Sequence, residues 1–189
     1  MSYYTSRELK KFKFKKLGKN VKISKGANFY FPKDIEIGDN SRIDDFCILS
    51  GKIIIGKFVH LTPMCLIGGG IKGVFISDFV TLAYGVKIFS QSDDYVCGSM
   101  TNSTVHKEFK NEKYSAVTIG KHVIVGTNSV IMPGCNLREG SSIGAMSLVT
   151  KNTKKWGIYY GVPAEFRKKR VVINKTLINR FLKKSYNAK

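Results

Sequence analysis

Aliphatic residues return at every sixth position along most of this chain. Ile119, Val125, Ile131, Leu137, Ile143 and Val149 form the longest unbroken series. Ile37, Ile43 and Leu49 keep the same step, as do Ile55, Leu61 and Ile67, and then Ile76, Leu82 and Ile88. A second slot lies four residues after each aliphatic one and holds small residues: Ser41, Cys47, Val59, Cys65, Val80, Val86, Val123, Ser129, Cys135, Ser141 and Ser147. Glycine often follows the aliphatic residue, as at Gly38, Gly56, Gly120, Gly126 and Gly144. A glycine there suits a tight corner.

Neither a helix, with period 3.6, nor a simple strand, with period 2, produces a six-residue step. A three-sided solenoid with one short strand per side does, and 18 residues then make one coil. Stacking coils at roughly 4.8 Å brings equivalent slots into ladders. No coil buries its inner face alone, so neighbouring coils stabilise one another. The pattern therefore predicts an all-β parallel β-helix over residues 1–170, followed by a basic C-terminal helix or tail over 171–189. Leu177, Ile178, Phe181 and Leu182 carry the helical spacing. Before Leu17 a short helix or arm is expected.

The period breaks twice. Nine positions, not six, separate Ile67 from Ile76, and the surplus falls at Gly68-Gly69-Gly70. The second break, from Ile88 to Ile119, is too long for a corner and predicts an excursion loop over about 89–116. Long loops in compact repeats are commonly functional. This one is rich in polar and aromatic residues, and Asp93, Asp94 and Tyr95 are candidates for binding the hydroxyl groups of a ligand.

The chain has 189 residues and a formal charge of +19. Beyond Lys151 the only acid is Glu165, against a lysine- and arginine-rich background. Such a balance favours anionic partners, phosphorylated small molecules among them. No zinc-finger, RNA-recognition or helix-turn-helix pattern accompanies it, so nucleic acid is not an expected partner. No apolar run approaches the roughly 20 residues of a membrane span. The start of the chain lacks a secretory h-region, which leaves the cytoplasm as the expected location. Three of the four cysteines occupy the small interior slot and read as buried hydrophobes. Cys97, outside that slot, is a minor candidate nucleophile.

The segments Ile119-Gly-Lys-His-Val-Ile-Val-Gly-Thr-Asn-Ser-Val-Ile-Met-Pro-Gly-Cys-Asn-Leu, Ile143-Gly-Ala-Met-Ser-Leu-Val-Thr-Lys and Gly161-Val-Pro-Ala resemble the hexapeptide-repeat acyltransferases. That family includes the galactoside and maltose O-acetyltransferases and the O-antigen and deoxysugar acetyltransferases. Ser92-Asp-Asp-Tyr and Met100-Thr-Asn-x-Thr-Val resemble the branch that acts on polysaccharides or deoxysugars. The resemblance implies a left-handed solenoid, a homotrimer with active sites between subunits, and acetyl-CoA as co-substrate, without a metal. It places coenzyme contacts at Thr127, Ala145, Thr150 and Lys151. Lys168 matches a family arginine near the nucleotide phosphates, and Trp156 with the Gly161-Val-Pro-Ala turn is expected at the adenine end. The implied reaction is acetyl transfer to a sugar hydroxyl or amine, the acceptor being a nucleotide-linked deoxyamino sugar or a surface-polysaccharide unit such as O-antigen.

Acyl transfer needs a base for the acceptor's proton, and histidine titrates in the right range. The chain has three histidines. His122 is expected at a solvent-facing corner and is the weakest candidate. His106 lies in the excursion; the family's base histidine falls on Ser103, and His106 matches a later histidine of that motif. His60 faces outward on the rigid scaffold, with Asp94 as the carboxylate expected to orient it. Both His60 and His106 remain candidate catalytic bases, with backbone N–H groups stabilising the oxyanion. The competing readings are a non-catalytic solenoid and a carbonic-anhydrase-type zinc enzyme. The second requires three converging histidines, and the spacings of these three do not match that family's close pair.

Overall fold

The structure is a computed structural model that describes residues 2–96 and 98–187. Cys97 lies outside the described residues. The chain winds into a parallel β-solenoid with three faces. On the first face, Leu17, Ile37, Ile55, Ile76, Ile119 and Leu137 stand in register. The second stacks Ile23, Ile43, Leu61, Leu82, Val125, Ile143 and Tyr159. Phe29, Leu49, Ile67, Ile88, Ile131 and Val149 form the third. All of these except Leu17 and Phe29 are buried, so the six-residue step is the inner wall of the tube.

The small slot fills the inner corners. Cys47, Cys65, Val80, Val86 and Ser129 are fully buried. Serines survive there because each coil offers partners to the next. The Ser129 hydroxyl donates to the Gly144 carbonyl at 2.8 Å and accepts from the Ser147 N–H at 3.2 Å. Ser41 bridges Gly56 and Val59 in the same way. The Cys47 sulfur beside it, together with burial, pushes the Cys65 thiol up, and burial does the same to the Cys135 thiol.

At the first corner, between the first and second faces, one residue per coil adopts a left-handed backbone. The column is Asn20, Asn40, Phe58, Phe79, His122, Gly140 and Trp156, with φ between 54° and 70°. The residues just before them alternate in charge: Lys19, Asp39, Lys57, Asp78, Lys121, Glu139, Lys155. Asp39 Oδ1 accepts from the Lys19 N–H and Asp78 Oδ1 from the Lys57 N–H, both at 2.9 Å. Lys57 also pairs with Asp39, and Lys121 with Asp78.

The Gly68–Gly70 surplus is a bulge at the third corner, where the strand Leu66–Ile76 runs on without a break. A Cβ on Gly69 would stand 2.2 Å from the Lys52 carbonyl oxygen, so no larger residue fits. One coil later the excursion leaves the same corner. Gln91–Ser92 pairs antiparallel with Lys113–Tyr114 at its neck, and the chain rejoins the solenoid at Val117, beside Val74.

Both ends of the tube are covered. The N-terminal helix α1 (Ser6–Lys11) begins with a Thr5–Glu8 capping box and buries Leu9. Tyr4, Phe12, Phe14 and Phe29 pack edge-to-face and stacked beside it. At the other end Glu165–Lys169 turns back antiparallel on Gly157–Tyr160. Helix α2 (Lys175–Asn187) then lies along the first corner, with Phe181 5.1 Å from Phe58 and 6.1 Å from Phe79 between ring centres.

His122 is therefore not at an open corner, as the sequence pattern alone suggests. Its ring stacks on Phe79 at 4.9 Å and 3°, and burial holds its pKa below the ordinary histidine value. Trp156 is placed differently from expectation too. It lies over Gly140 in this same column, 6.3 Å from His122, on a different edge from Thr127 and Ala145.

Candidate active site

His60 sits on the second face, in register between Arg42 of the preceding coil and Thr81 of the next. Its Nε2 lies 2.8 Å from Asp44 Oδ2, and the other Asp44 oxygen accepts from Arg42 Nε at 2.6 Å. The Asp44 side chain is 2% exposed, whereas those of His60 and Arg42 are 36% and 43% exposed. A buried carboxylate with an ionised guanidinium at one oxygen can only accept at the other. The Asp44 contact therefore fixes the proton on His60 Nε2 and leaves the lone pair on Nδ1. Asp44 also holds the Arg42 guanidinium above its ordinary range. The ring of Tyr3, brought in by a bridge to Ser24, lies 5.8 Å from the guanidinium. Burial raises the Tyr3 phenol.

This arrangement differs from the expected pairing: within one chain it is Asp44, not Asp94, that holds His60. Asp94 is buried inside the excursion, where Oδ1 accepts from the Val96 N–H at 3.0 Å and Oδ2 from Ser99 Oγ at 3.2 Å. The Val96 N–H in particular holds its carboxyl below the usual carboxylate range. Asp93 is half-buried at the neck, and Tyr95 is 89% exposed. His106 is exposed and precedes the single 3-10 turn Lys107–Phe109. A cavity of about 560 Å³ opens between Ser99, Met100 and the Phe109–Asn111 stretch of the excursion.

The second corner carries another column. Backbone hydrogen bonds run from Met64 N–H to Asp45 C=O, Gly85 to Pro63, Asn128 to Tyr84 and Met146 to Thr127, at 2.8–3.0 Å. Asp45, Pro63, Tyr84, Thr127 and Ala145 therefore stand one above another. Thr127 and Ala145 make a shallow trough at the C-terminal part of this corner, and Tyr84 stands next in line. Its phenol is close enough to influence the Arg42 guanidinium electrostatically. Past Ala145 lies a cavity of about 300 Å³ lined by Thr150, Lys151, Tyr159, Pro163, Ala164 and Phe166. This cavity joins Thr150 and Lys151 to the Gly161-Val-Pro-Ala turn. Lys168 lies exposed on the back-turned strand, in register with Ile158.

The neighbouring Arg170 does not present its charge outward. Its Nη1 donates to the carbonyls of His122 and Gly140 at 2.9 and 3.0 Å, and its guanidinium lies 5.8 Å from the Trp156 ring centre. Of the Lys168-Lys169-Arg170 run, only the lysines face solvent freely. The three histidines stand on a face, a loop and a corner, and no cluster of three metal-ligating side chains occurs among the described residues. Asp44, Arg42 and Tyr84 were not singled out from the sequence. Arg42 and His60 are 18 residues apart, one full coil, and that spacing is the signal that could have found the pair.

The fold and the site together define a parallel β-solenoid enzyme with a small-residue trough leading to a carboxylate-held histidine. No family model matches the chain. It is 40% identical over 168 residues to the dTDP-4-amino-4,6-dideoxy-D-glucose acyltransferase of Escherichia coli, covering 87% of each chain. Among solved structures it matches AntD, an N-acyltransferase from Bacillus cereus. AntD in complex with dTDP and 3-hydroxybutyryl-CoA superposes with a TM-score of 0.92 at 39% identity, covering 98% of both chains. A variant of AntD bound to dTDP-4-amino-4,6-dideoxyglucose and coenzyme A gives 0.94 at 42%, over 97% of this chain and 98% of that one. A hexapeptide-repeat acetyltransferase from Vibrio cholerae shares the fold, with a TM-score of 0.63 at 16% identity over 88% of this chain and 81% of that one. The chain belongs to the hexapeptide-repeat acyltransferases and is an acyltransferase.

Proposed function

We propose that this enzyme transfers an acetyl group from acetyl-CoA to the amino group of a nucleotide-linked deoxyamino sugar destined for a surface polysaccharide such as O-antigen. Support comes from the Escherichia coli relative and from the ligands of AntD, both centred on a dTDP-linked 4-amino-4,6-dideoxy sugar. The observation that carries the reading is the second-corner column. It runs from the Thr150–Lys151 cavity past Ala145 and Thr127 to Tyr84, beside the Arg42–Asp44–His60 cluster. Coenzyme A lies along this column in our reading. Its nucleotide end is near Lys151 and Lys168, and its thioester is at the His60 end.

The acceptor nitrogen attacks the thioester carbonyl, and His60 Nδ1 takes its proton. Asp44 stabilises the imidazolium so formed. Backbone N–H groups hold the oxyanion. Collapse of the tetrahedral intermediate breaks the C–S bond, and the departing thiolate recovers the proton from His60. No acyl-enzyme is required. Asp93, Asp94 and Tyr95 bind the acceptor, and His106 is the alternative base on the same excursion.

We further infer a left-handed winding and a homotrimer, in which the excursion of one subunit meets the second face of the next. That assembly brings Asp94 or His106 to a neighbour's His60. The reaction is placed in the cytoplasm, which keeps free thiols such as Cys47 and Cys65 reduced. No helix among the described residues is long and apolar enough to cross a membrane.

The test is thiol release from acetyl-CoA over a panel of nucleotide-linked amino sugars and neutral sugars, with His60→Ala and His106→Ala in parallel. The reading expects turnover with an amino sugar, a loss of roughly 10²–10⁴-fold in His60→Ala and a smaller effect in His106→Ala. Full activity in His60→Ala overturns the assignment of the base. No turnover with any acceptor favours a binding role for the solenoid instead.

A further inference from the structure

The second-corner column changes character at one residue. Thr127 and Ala145 are small, and the left-handed positions beside them carry Asn128 and Met146, the latter 67% exposed. The next position towards the N-terminus is Tyr84, whose side chain stands 57% exposed. Its backbone is fixed from both sides. The Tyr84 carbonyl accepts the Asn128 N–H at 2.8 Å, and the following Gly85 N–H donates to Pro63 at 3.0 Å.

The space beside Tyr84 is also taken. The Asn128 side chain lies over Gly85, where an added Cβ would come within 2.2 Å of Asn128 Oδ1. One and two coils further on, the adjacent left-handed positions carry Met64 and Phe46, 60% and 63% exposed. Along the column from Ala145 past Thr127, Tyr84 is the next residue, and the exposed Met64 and Phe46 lie beyond it.

We propose that Tyr84 is the stop at the reactive end of the coenzyme trough and restricts the transferred acyl group to a short chain. This rests on the reading of the column as the coenzyme site. The phenol ring occupies the volume that carbons beyond the acetyl methyl need. Its bulk, rather than its hydroxyl, sets the selectivity. Discrimination by excluded volume in an apolar pocket is worth roughly 10–100-fold per misfitting group.

The experiment compares kcat/KM for acetyl-CoA and 3-hydroxybutyryl-CoA, with dTDP-4-amino-4,6-dideoxyglucose as acceptor, in the unmodified enzyme, Tyr84→Ser and Tyr84→Phe. The unmodified enzyme is expected to favour acetyl-CoA by roughly 10-fold or more. Tyr84→Ser shifts the ratio towards the longer donor by at least about 10-fold, and Tyr84→Phe keeps the original ratio. Affinity for free coenzyme A, measured by calorimetry, stays within about twofold in Tyr84→Ser, because the ring acts beyond the thiol. An unchanged ratio in Tyr84→Ser overturns the proposal, and so does equal use of both donors by the unmodified enzyme. A ratio lost in Tyr84→Phe overturns the role of ring bulk. Absence of both turnover and coenzyme binding in the unmodified enzyme overturns the site reading itself, and the stop with it.

Discussion

Nε2 of His60 and Oδ2 of Asp44 lie 2.8 Å apart, although the two residues belong to successive coils. The contact exists because the solenoid stacks Arg42 beside His60, and Asp44, two residues on, turns back between them. One buried carboxylate thus fixes both the tautomer of the histidine and the position of the arginine.

Asp44→Asn is expected to lower kcat while leaving KM for acetyl-CoA nearly unchanged, by a smaller factor than the roughly 10²–10⁴ of His60→Ala. The amide can satisfy one neighbour but cannot balance the charge of Arg42. The loss of the charged acceptor is also expected to cost about 1–3 kcal/mol of stability. Steady-state kinetics and urea unfolding of the same preparation separate the two effects. A variant with unchanged kcat and lowered stability reduces Asp44 to a structural role.

The ladders predict a second outcome. Ile131 is fully buried on the third face, in register with Ile88 before it and Val149 after it. Ile131→Ala removes atoms from a wall whose neighbours are fixed by strand hydrogen bonds, so the hole cannot collapse. The expected cost is about 2–5 kcal/mol, read as a lower urea midpoint at constant m-value.

These ladders were legible in the sequence because every member follows from one step of six. Ile119 through Val149 and the slot with Cys47, Cys65 and Cys135 stand where that step puts them. The site was only partly legible. Arg42 and His60 obey the 18-residue coil, but Asp44 reaches His60 by the direction of its side chain, which spacing does not encode. Tyr3 enters from an arm that has no repeat to place it. The first-corner column of Phe58, Phe79, His122 and Trp156 was hidden for another reason. The Gly68–Gly70 bulge lengthens the step from Phe58 to Phe79, the excursion lengthens the step from Phe79 to His122, and the last coil shortens the step from Gly140 to Trp156. The six-residue step therefore does not reveal that His122 and Trp156 stack in one column with Phe79.

His122 leads to a pH prediction. Burial against Phe79 and under α2 lowers its pKa from 6.5; Lys121 and Arg170 act in the same direction, and Glu139 and Asp78 oppose them. The unfolded chain therefore binds a proton at His122 before the folded one does. Its contribution to stability is complete above about pH 6.5 and declines as pH falls from there through the lowered folded value. His122→Phe keeps a stacking ring without a titrating group. It is expected to flatten the loss of stability between about pH 6.5 and 5, measured by thermal unfolding across that range. An unchanged slope places the titration elsewhere.

Gly140 tests what the first corner requires. It has φ +70, but so do its neighbours nearly: Phe58, Phe79, His122 and Trp156 all adopt φ between 54° and 61° in the same column. A left-handed backbone is thus tolerated there by residues with side chains, and it does not explain the glycine. The indole does. An added Cβ would lie 2.2 Å from Trp156 Cδ2, in a ring that also stacks towards His122 and carries the Arg170 guanidinium. Gly140→Ala is expected to cost about 1–3 kcal/mol, as overpacking does, by pushing Trp156 off the column. If the clash is the cause, the cost depends on the indole. In a Trp156→Ala background the same Gly140→Ala change is expected to cost less by about 1–2 kcal/mol. A double-mutant cycle by urea unfolding measures that difference. Strict additivity would instead assign the penalty to the backbone conformation of residue 140.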